Sequence, residues 1–122
     1  MTSNSKAKGD YGENVVTGYL QAKGYKILTR NFSARGGEID IVAETFGGEY
    51  IVFVEVKYRT NMGFGDGVEG VDVRKSRRII AAAKAYLYKN DKWEHPCRFD
   101  IIEVFGREQL EITHHENAFW EG

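Results

Sequence analysis

Glu38-Ile39-Asp40-Ile41-Val42-Ala43-Glu44 and Tyr50-Ile51-Val52-Phe53-Val54-Glu55-Val56-Lys57-Tyr58 are the two runs that decide the fold of this chain. Both are rich in β-branched and aromatic residues. They flank Gly47-Gly48, a pair suited to a hairpin turn. The second run is apolar on both faces for most of its length, which predicts a strand at the centre of a sheet. With Gly47 and Gly48 as the turn, Asp40 falls opposite Glu55 and Glu38 opposite Lys57. Residues two apart on a strand share a face, so the four side chains form one square. Directly opposed Cβ atoms lie roughly 4.5–5.5 Å apart. Two carboxylates at that range repel unless they share a proton or hold a cation. A one-residue slip would turn one strand's set to the other face. The competing reading of the square is a solvated sheet face with two salt-bridged rungs, and the apolar run Ile51 to Val54 speaks against it.

Outward from the hairpin, Gly9 to Lys23 carries an apolar stripe at helical spacing, Val15, Val16, Tyr19, Leu20 and Ala22, and Gly24 stops it. Tyr25 to Phe32 reads as a weak strand. After the hairpin, Gly63, Gly65, Gly67 and Gly70 mark a loop of the length that often carries function. A second helix follows from Asp72, a plausible N-cap, to Asn90. Its inward face holds Ile79, Ile80, Ala83, Tyr86 and Leu87, with Arg74, Arg77 and Arg78 opposite. Pro96 precedes a strand at Arg98 to Phe105, and a turn near Gly106 leads to a short one at Leu110 to Thr113. The order is α-β-β-β-α-β-β, an α+β sandwich with a mixed central sheet flanked by helices. Residues 1–8 are polar and expected to be disordered, which leaves 9–122 as a single domain.

Composition narrows the classes. The chain has 122 residues, 42% hydrophobic and 29% charged, enough for both a core and a polar surface. No apolar run approaches the roughly 20 residues of a membrane span, and the start lacks an apolar signal region, so a cytoplasmic protein is expected. The lone Cys97 fits a reducing compartment. Net charge is −1, yet Arg74 to Lys92 holds seven Lys or Arg against one acid, and Asp100 onward holds six acids against one Arg. Such a basic segment can attract phosphates, although a solvated helix face produces the same pattern.

The square of charges suits one chemistry in particular. Mg²⁺ or Mn²⁺ takes oxygen ligands, which Asp40, Glu55 and the Val56 carbonyl could supply. Such an ion lowers the pKa of a water and stabilises charge on a phosphate. Lys57 would orient or deprotonate that water, or offset developing charge. Glu13 lies at the edge of the first helix's apolar stripe; a boundary acid there usually snorkels to water, but it matters if the helix packs across the hairpin. Lys75 has a similar boundary place on the second helix. Arg35, Arg59, Arg74, Lys75, Arg77 and Arg78 would hold a nucleic-acid backbone without reading its sequence.

Gly37-Glu38-Ile39-Asp40 followed by Val54-Glu55-Val56-Lys57 resembles the D…E-x-K signature of the PD-(D/E)XK nuclease superfamily, and Gly12-Glu13-Asn14 resembles its helical acid. In more detail the chain is similar to the uncharacterised bacterial YraN family. That likeness rests on Tyr25, Arg30-Asn31, Gly37-Glu38-Ile39-Asp40, Phe53-Val54-Glu55-Val56-Lys57, Lys75, Cys97-Arg98-Phe99-Asp100 and Asn117-Ala118-Phe119. It spans Gly9 to Trp120. The D…E-x-K motif alone is weak; the ordered combination is specific. The resemblance implies a restriction-endonuclease-like fold and a role in DNA processing, with DNA favoured over RNA, no membrane, and a homodimer as one arrangement. It makes Asp40 and Glu55 metal ligands, Lys57 the catalytic lysine, Glu13 an auxiliary acid, Glu38 and Lys75 secondary candidates, and Glu69 a loop acid that could approach the metal. Ile39 stands where the superfamily's name has proline.

Other signals are weaker. His95, Cys97, His114 and His115 lack the paired spacing of zinc modules, and Cys97 is expected as a buried small hydrophobe. Arg98 and Asp100 share a strand face and are expected to pair. Trp93 and Trp120 could stack bases, but core or dimer packing is the commoner use. No Walker loop is present. Three functions compete: a metal-dependent endonuclease, a non-catalytic nucleic-acid-binding scaffold, and a protein-interaction domain.

Overall fold

The computed structural model describes residues 2–60 and 73–120, with side chains from residue 9 onward. Helix α1 spans Thr2–Ala22, followed by β1 (Lys26–Ala34), β2 (Gly37–Glu44), β3 (Ile51–Arg59), α2 (Val73–Lys89), β4 (Cys97–Phe105) and β5 (Glu111–His115). The order is the α-β-β-β-α-β-β of the sequence reading. Helix α1 reaches back over residues 2–8, read above as disordered. Lys6, Ala7 and Lys8 are strong helix formers, and no proline interrupts them. At its other end Gly24 adopts φ 90°, and its amide and that of Tyr25 donate to the Gln21 and Leu20 carbonyls, closing the helix as expected. The glycine loop, with Gly63, Gly65, Gly67, Gly70, Glu69 and the proposed cap Asp72, lies outside the described residues.

The five strands lie in the order β1-β2-β3-β4-β5. Neighbours are antiparallel except β3 and β4, which are parallel and joined through α2. The centre of the sheet is therefore β3, as its two-sided apolar run predicts. One face buries Val16 and Leu20 of α1 on Ile41, Ala43, Val52, Val54, Ile102 and Val104. The other buries Ile79, Ile80, Ala83 and Leu87 of α2 on Ile39, Val42, Ile51, Phe53 and Phe99. Each such aliphatic side chain contributes about 1.5–3 kcal/mol when taken out of water. Ala82 is also buried, and Tyr86 only partly.

Two glycines let the helices approach the sheet near its polar end. A Cβ on Gly12 of α1 would lie 2.7 Å from the Tyr58 Cβ. A Cβ on Gly37, the first residue of β2, would collide with the Arg78 carbonyl oxygen of α2. Neither neighbour can rotate away, because a Cβ and a carbonyl oxygen are both fixed by their own backbone. Gly37→Ala is therefore expected to cost roughly 1–3 kcal/mol in chemical denaturation, because α2 must shift off β2.

Candidate functional site

The hairpin register is the one read from the sequence: Glu44 pairs with Ile51, Ala43 with Val52, Val42 with Phe53 and Ile41 with Val54. The turn is longer than two residues. Phe46–Gly48 forms a 3-10 turn, with Gly47 and Gly48 at φ 87° and 78°, and the Thr45 amide bonds the Tyr50 carbonyl. The extra residues are added equally on both sides, so the pairing is unchanged.

Regular pairing gives way at Asp40. Its carboxylate Oδ2 accepts the Val56 backbone N–H at 2.8 Å. Ile39 and Val42 pack on the α2 side, whereas Ile41 and Ala43 pack on the α1 side. Strict alternation would put Ile39 with Ile41, so the strand reverses its facing across Asp40. Across the sheet, Asn31 sits between the rungs Arg30–Ile41 and Phe32–Ile39 with φ 53°. That left-handed backbone is uncommon outside glycine and best tolerated by asparagine and aspartate. The distortion aims Asp40 between β2 and β3 instead of squarely onto one face. Neither the Asp40–Glu55 rung nor the Glu38–Lys57 rung expected above is among the pairs. Glu38 is matched to Ser33 of β1 and Lys57 to Glu103 of β4.

Asp40 thus meets charges from both layers. Burial raises its carboxyl from the ordinary 3.8 to about 7, with the Glu55 and Glu13 charges adding to the rise. The Val56 N–H and the Lys75 ammonium act in the opposite direction. Glu55 is 8% exposed and forms an ion pair with Lys75 of α2, Nζ to Oε2 2.6 Å. The cleft in front of them has a volume of about 880 Å³ and is lined by Glu38, Asp40, Glu55, Arg74, Lys75 and Arg78, among others.

Glu13 is not snorkelling. It is 5% exposed, and its Oε1 accepts from Arg30 Nε at 2.6 Å and from Asn31 Nδ2 at 3.1 Å. A second nitrogen of Arg30 holds Asn14 at 2.7 Å. These two partners of Glu13 were named above only as part of a motif; a polar Arg-Asn pair inside a weak strand was the available signal. Neither Glu13 nor Lys57 lines the cleft, and Lys57 is half-buried. Arg35 lies in the exposed turn between β1 and β2, Arg59 ends β3, and Arg77 is exposed on α2 away from the cleft lining. Among the described residues, no three His, Cys, Asp or Glu side chains converge as a metal-binding group. What the structure brings together is the carboxylate pair Asp40 and Glu55, with three cations of α2 around it.

The histidines and Cys97 do not converge on zinc. His95 contacts the Gly48 carbonyl at 3.1 Å, and His115 contacts Glu103 at 2.8 Å. Cys97 is half-buried beside the α2 cluster, and burial pushes its thiol up. His114 belongs to a separate network around Asp100, which is 0% exposed. Asp100 receives His114 Nε2 at 2.7 Å, Arg98 Nε and a terminal Arg98 nitrogen at 3.0 and 2.9 Å, and the Asn117 N–H at 2.9 Å. The Arg98–Asp100 pair is thus the expected one, with a second basic partner added. Burial by itself would raise the Asp100 carboxyl; the bonds from His114, Arg98 and Asn117 outweigh it and hold the group below the ordinary range. Asn117 in turn starts the segment in which the Ala118 N–H bonds the Phe99 carbonyl and Phe119 stacks on Phe99 at 5.2 Å. Trp93 and Trp120 remain largely exposed, at 58% and 66%.

Two helices enclosing a five-stranded mixed sheet, with a polar cleft where the central hairpin opens, define a small α+β sandwich protein. The chain belongs to the uncharacterised protein family UPF0102, whose family model matches residues 12–104. This is the family to which the motif resemblance pointed. A UPF0102 protein of Clostridioides difficile (strain 630) is 47% identical over 116 residues, 95% of this chain and 99% of that one. One from Caldanaerobacter subterraneus subsp. tengcongensis is 42% identical over 120 residues, covering 95% and 97% of the two chains. Another from Stutzerimonas stutzeri (strain A1501) is 38% identical over 119 residues, covering 96% and 98%. No helix among the described residues is long and apolar enough to cross a membrane.

Proposed function

We propose that the chain is a divalent-cation-dependent endonuclease of the PD-(D/E)XK kind that hydrolyses DNA phosphodiesters, with branched or damaged DNA as the preferred substrates. The observation that carries this reading is the Asp40–Glu55 pair: two carboxylates held together at the floor of an open cleft whose rim is Arg74, Lys75 and Arg78. The donor set fits Mg²⁺ or Mn²⁺, because such ions are commonly held by one or two carboxylates, with water and substrate phosphate completing the shell. When bound, the ion supplies positive charge to the phosphate and a water of lowered pKa.

The protein's own residues do the rest. Asp40 and Glu55 would give the oxygen ligands, for which Asp40 must be ionised. The bond from Val56 N–H to Asp40 fixes the orientation of that carboxylate. Arg74, Lys75 and Arg78 position the phosphodiester backbone. Lys57 enters as the catalytic lysine on the strength of the E-x-K resemblance, and Glu13 acts on the pair through its charge.

A second reading, a nucleic-acid-binding scaffold without catalysis, is favoured by one observation. Glu13 is already engaged by Arg30 and Asn31, and Glu55 by Lys75, so the acids are neutralised from within. The test is incubation of the wild type and Glu55→Gln with supercoiled, single-stranded and branched DNA in Mg²⁺ or Mn²⁺. Cleavage by the wild type alone is expected. Salt-sensitive binding that survives EDTA and the substitution, with no cleavage of any topology, selects the scaffold. Absence of binding as well removes both.

A further inference from the structure

Lys75 occupies a place that helix stability does not explain. It is the third residue of α2, and Arg74, Arg77 and Arg78 surround it with no acid in the first turn. Cations at a helix N-terminus oppose the helix dipole, so this arrangement works against α2. Among the described residues another element brings an anion to this end of the helix: Glu55 of β3, 2.6 Å from the Lys75 ammonium.

The two partners are unequally mobile. The Glu55 side chain is 9% exposed and is fixed within the central strand, while that of Lys75 is 46% exposed. Lysine carries a strongly hydrated ammonium on a flexible stem, so water can take up the ammonium once another cation replaces it at Glu55. The carboxylate has no such route to water. Lys75 is also among the charges that oppose the rise in the Asp40 pKa, so it acts on both acids.

We infer that Lys75 is a resident counter-ion of the carboxylate pair: it neutralises Glu55 when the cleft holds no cation, competes with a divalent cation for that carboxylate, and turns to the substrate phosphate when displaced. The inference rests on the cation-binding reading of Asp40 and Glu55 given above and adds the step by which the site is armed. A nucleic acid with its ion would satisfy both halves at once, the ion at Glu55 and the phosphate at the released ammonium. Cation and nucleic acid would therefore bind with positive coupling through this one side chain.

The experiment is Mn²⁺ binding by titration calorimetry, without nucleic acid, on the wild type, Lys75→Met, Lys75→Gln and Lys75→Arg. The two neutral replacements test the same point in case one fails to fold. Both are expected to bind Mn²⁺ about tenfold more tightly than the wild type, equivalent to about 1.4 kcal/mol, while Lys75→Arg stays near the wild type. A second readout is coupling to DNA, measured as the change in duplex affinity on adding Mn²⁺; the neutral variants should lose most of it. If the wild type binds Mn²⁺ and the neutral variants bind equally or more weakly, the counter-ion role is overturned and the cation site stands. If no variant binds Mn²⁺, the cation reading itself falls, and this inference with it.

Discussion

Asp100→Ala is expected to destabilise the protein by about 3–5 kcal/mol, the cost of removing one member of a buried ion pair and stranding the others. Arg98 and His114 would lose their shared anion inside the sheet, and the Asn117 N–H would lose its acceptor. The segment that stacks Phe119 on Phe99 would loosen with it. Urea unfolding followed by tryptophan fluorescence checks this, and a loss under 1 kcal/mol would show that the network is dispensable. The pH sign follows from the lowered carboxyl. A group ionised more readily when folded stabilises the protein above its ordinary value of 3.8, and that stabilisation is lost as pH falls through the folded value below it.

Asp40→Asn should act in the opposite direction on stability. The folded protein holds a proton on Asp40 up to about pH 7, whereas the unfolded chain releases it near 3.8. Between those values the folded state binds more protons, so stability falls as pH rises. At pH 8 the ionised Asp40 costs the wild type on the order of 4 kcal/mol, from the displacement of its pKa. Asparagine carries no charge, and its carbonyl oxygen can still accept from Val56. The variant should therefore gain roughly 1–3 kcal/mol at pH 8 and lose the decline between pH 4 and 7, read from thermal unfolding across that range. Under the proposed function it should also lose cleavage by roughly 10²–10³-fold, as expected when charge stabilisation at a reacting phosphate is removed. Equal stability of the two proteins at pH 8 would show that Asp40 carries no electrostatic penalty.

These two aspartates also mark how far the sequence could be read. The order of elements was legible because helical stripes and alternating runs are local patterns, and the hairpin register because Gly47-Gly48, read as a two-residue turn, is also the centre of the longer turn that forms. Asp40 was thereby drawn towards Glu55, whose charge does add to the rise in its pKa, although their rung is not among the pairs and the turn itself has another form. The Glu38–Lys57 rung was not legible, because pairing yields to a side chain at Asp40, helped by the left-handed Asn31 on a different strand. Glu13 was noticed as an oddity, but its burial depends on Gly12 letting α1 close on Tyr58 and on Arg30 reaching back from β1. The pairing of Lys75 with Glu55 joins residues whose closeness is set by the packing of α2 on the sheet, which no local pattern encodes. His114 was considered as a metal ligand because histidine types invite it. Its true partner, Asp100, lies one strand over.

The reversal of facing at Asp40 has a wider consequence. One carboxyl group feels Glu13 through the α1 layer and Lys75 through the α2 layer, so the proton on it is a thermodynamic link between opposite sides of the sheet. A variant that removed the charge of Glu13 would therefore shift the Asp40 proton and, with it, the charge that faces the cleft. The sheet, otherwise a partition between two apolar cores, is crossed at Asp40 by an electrostatic coupling between its two faces.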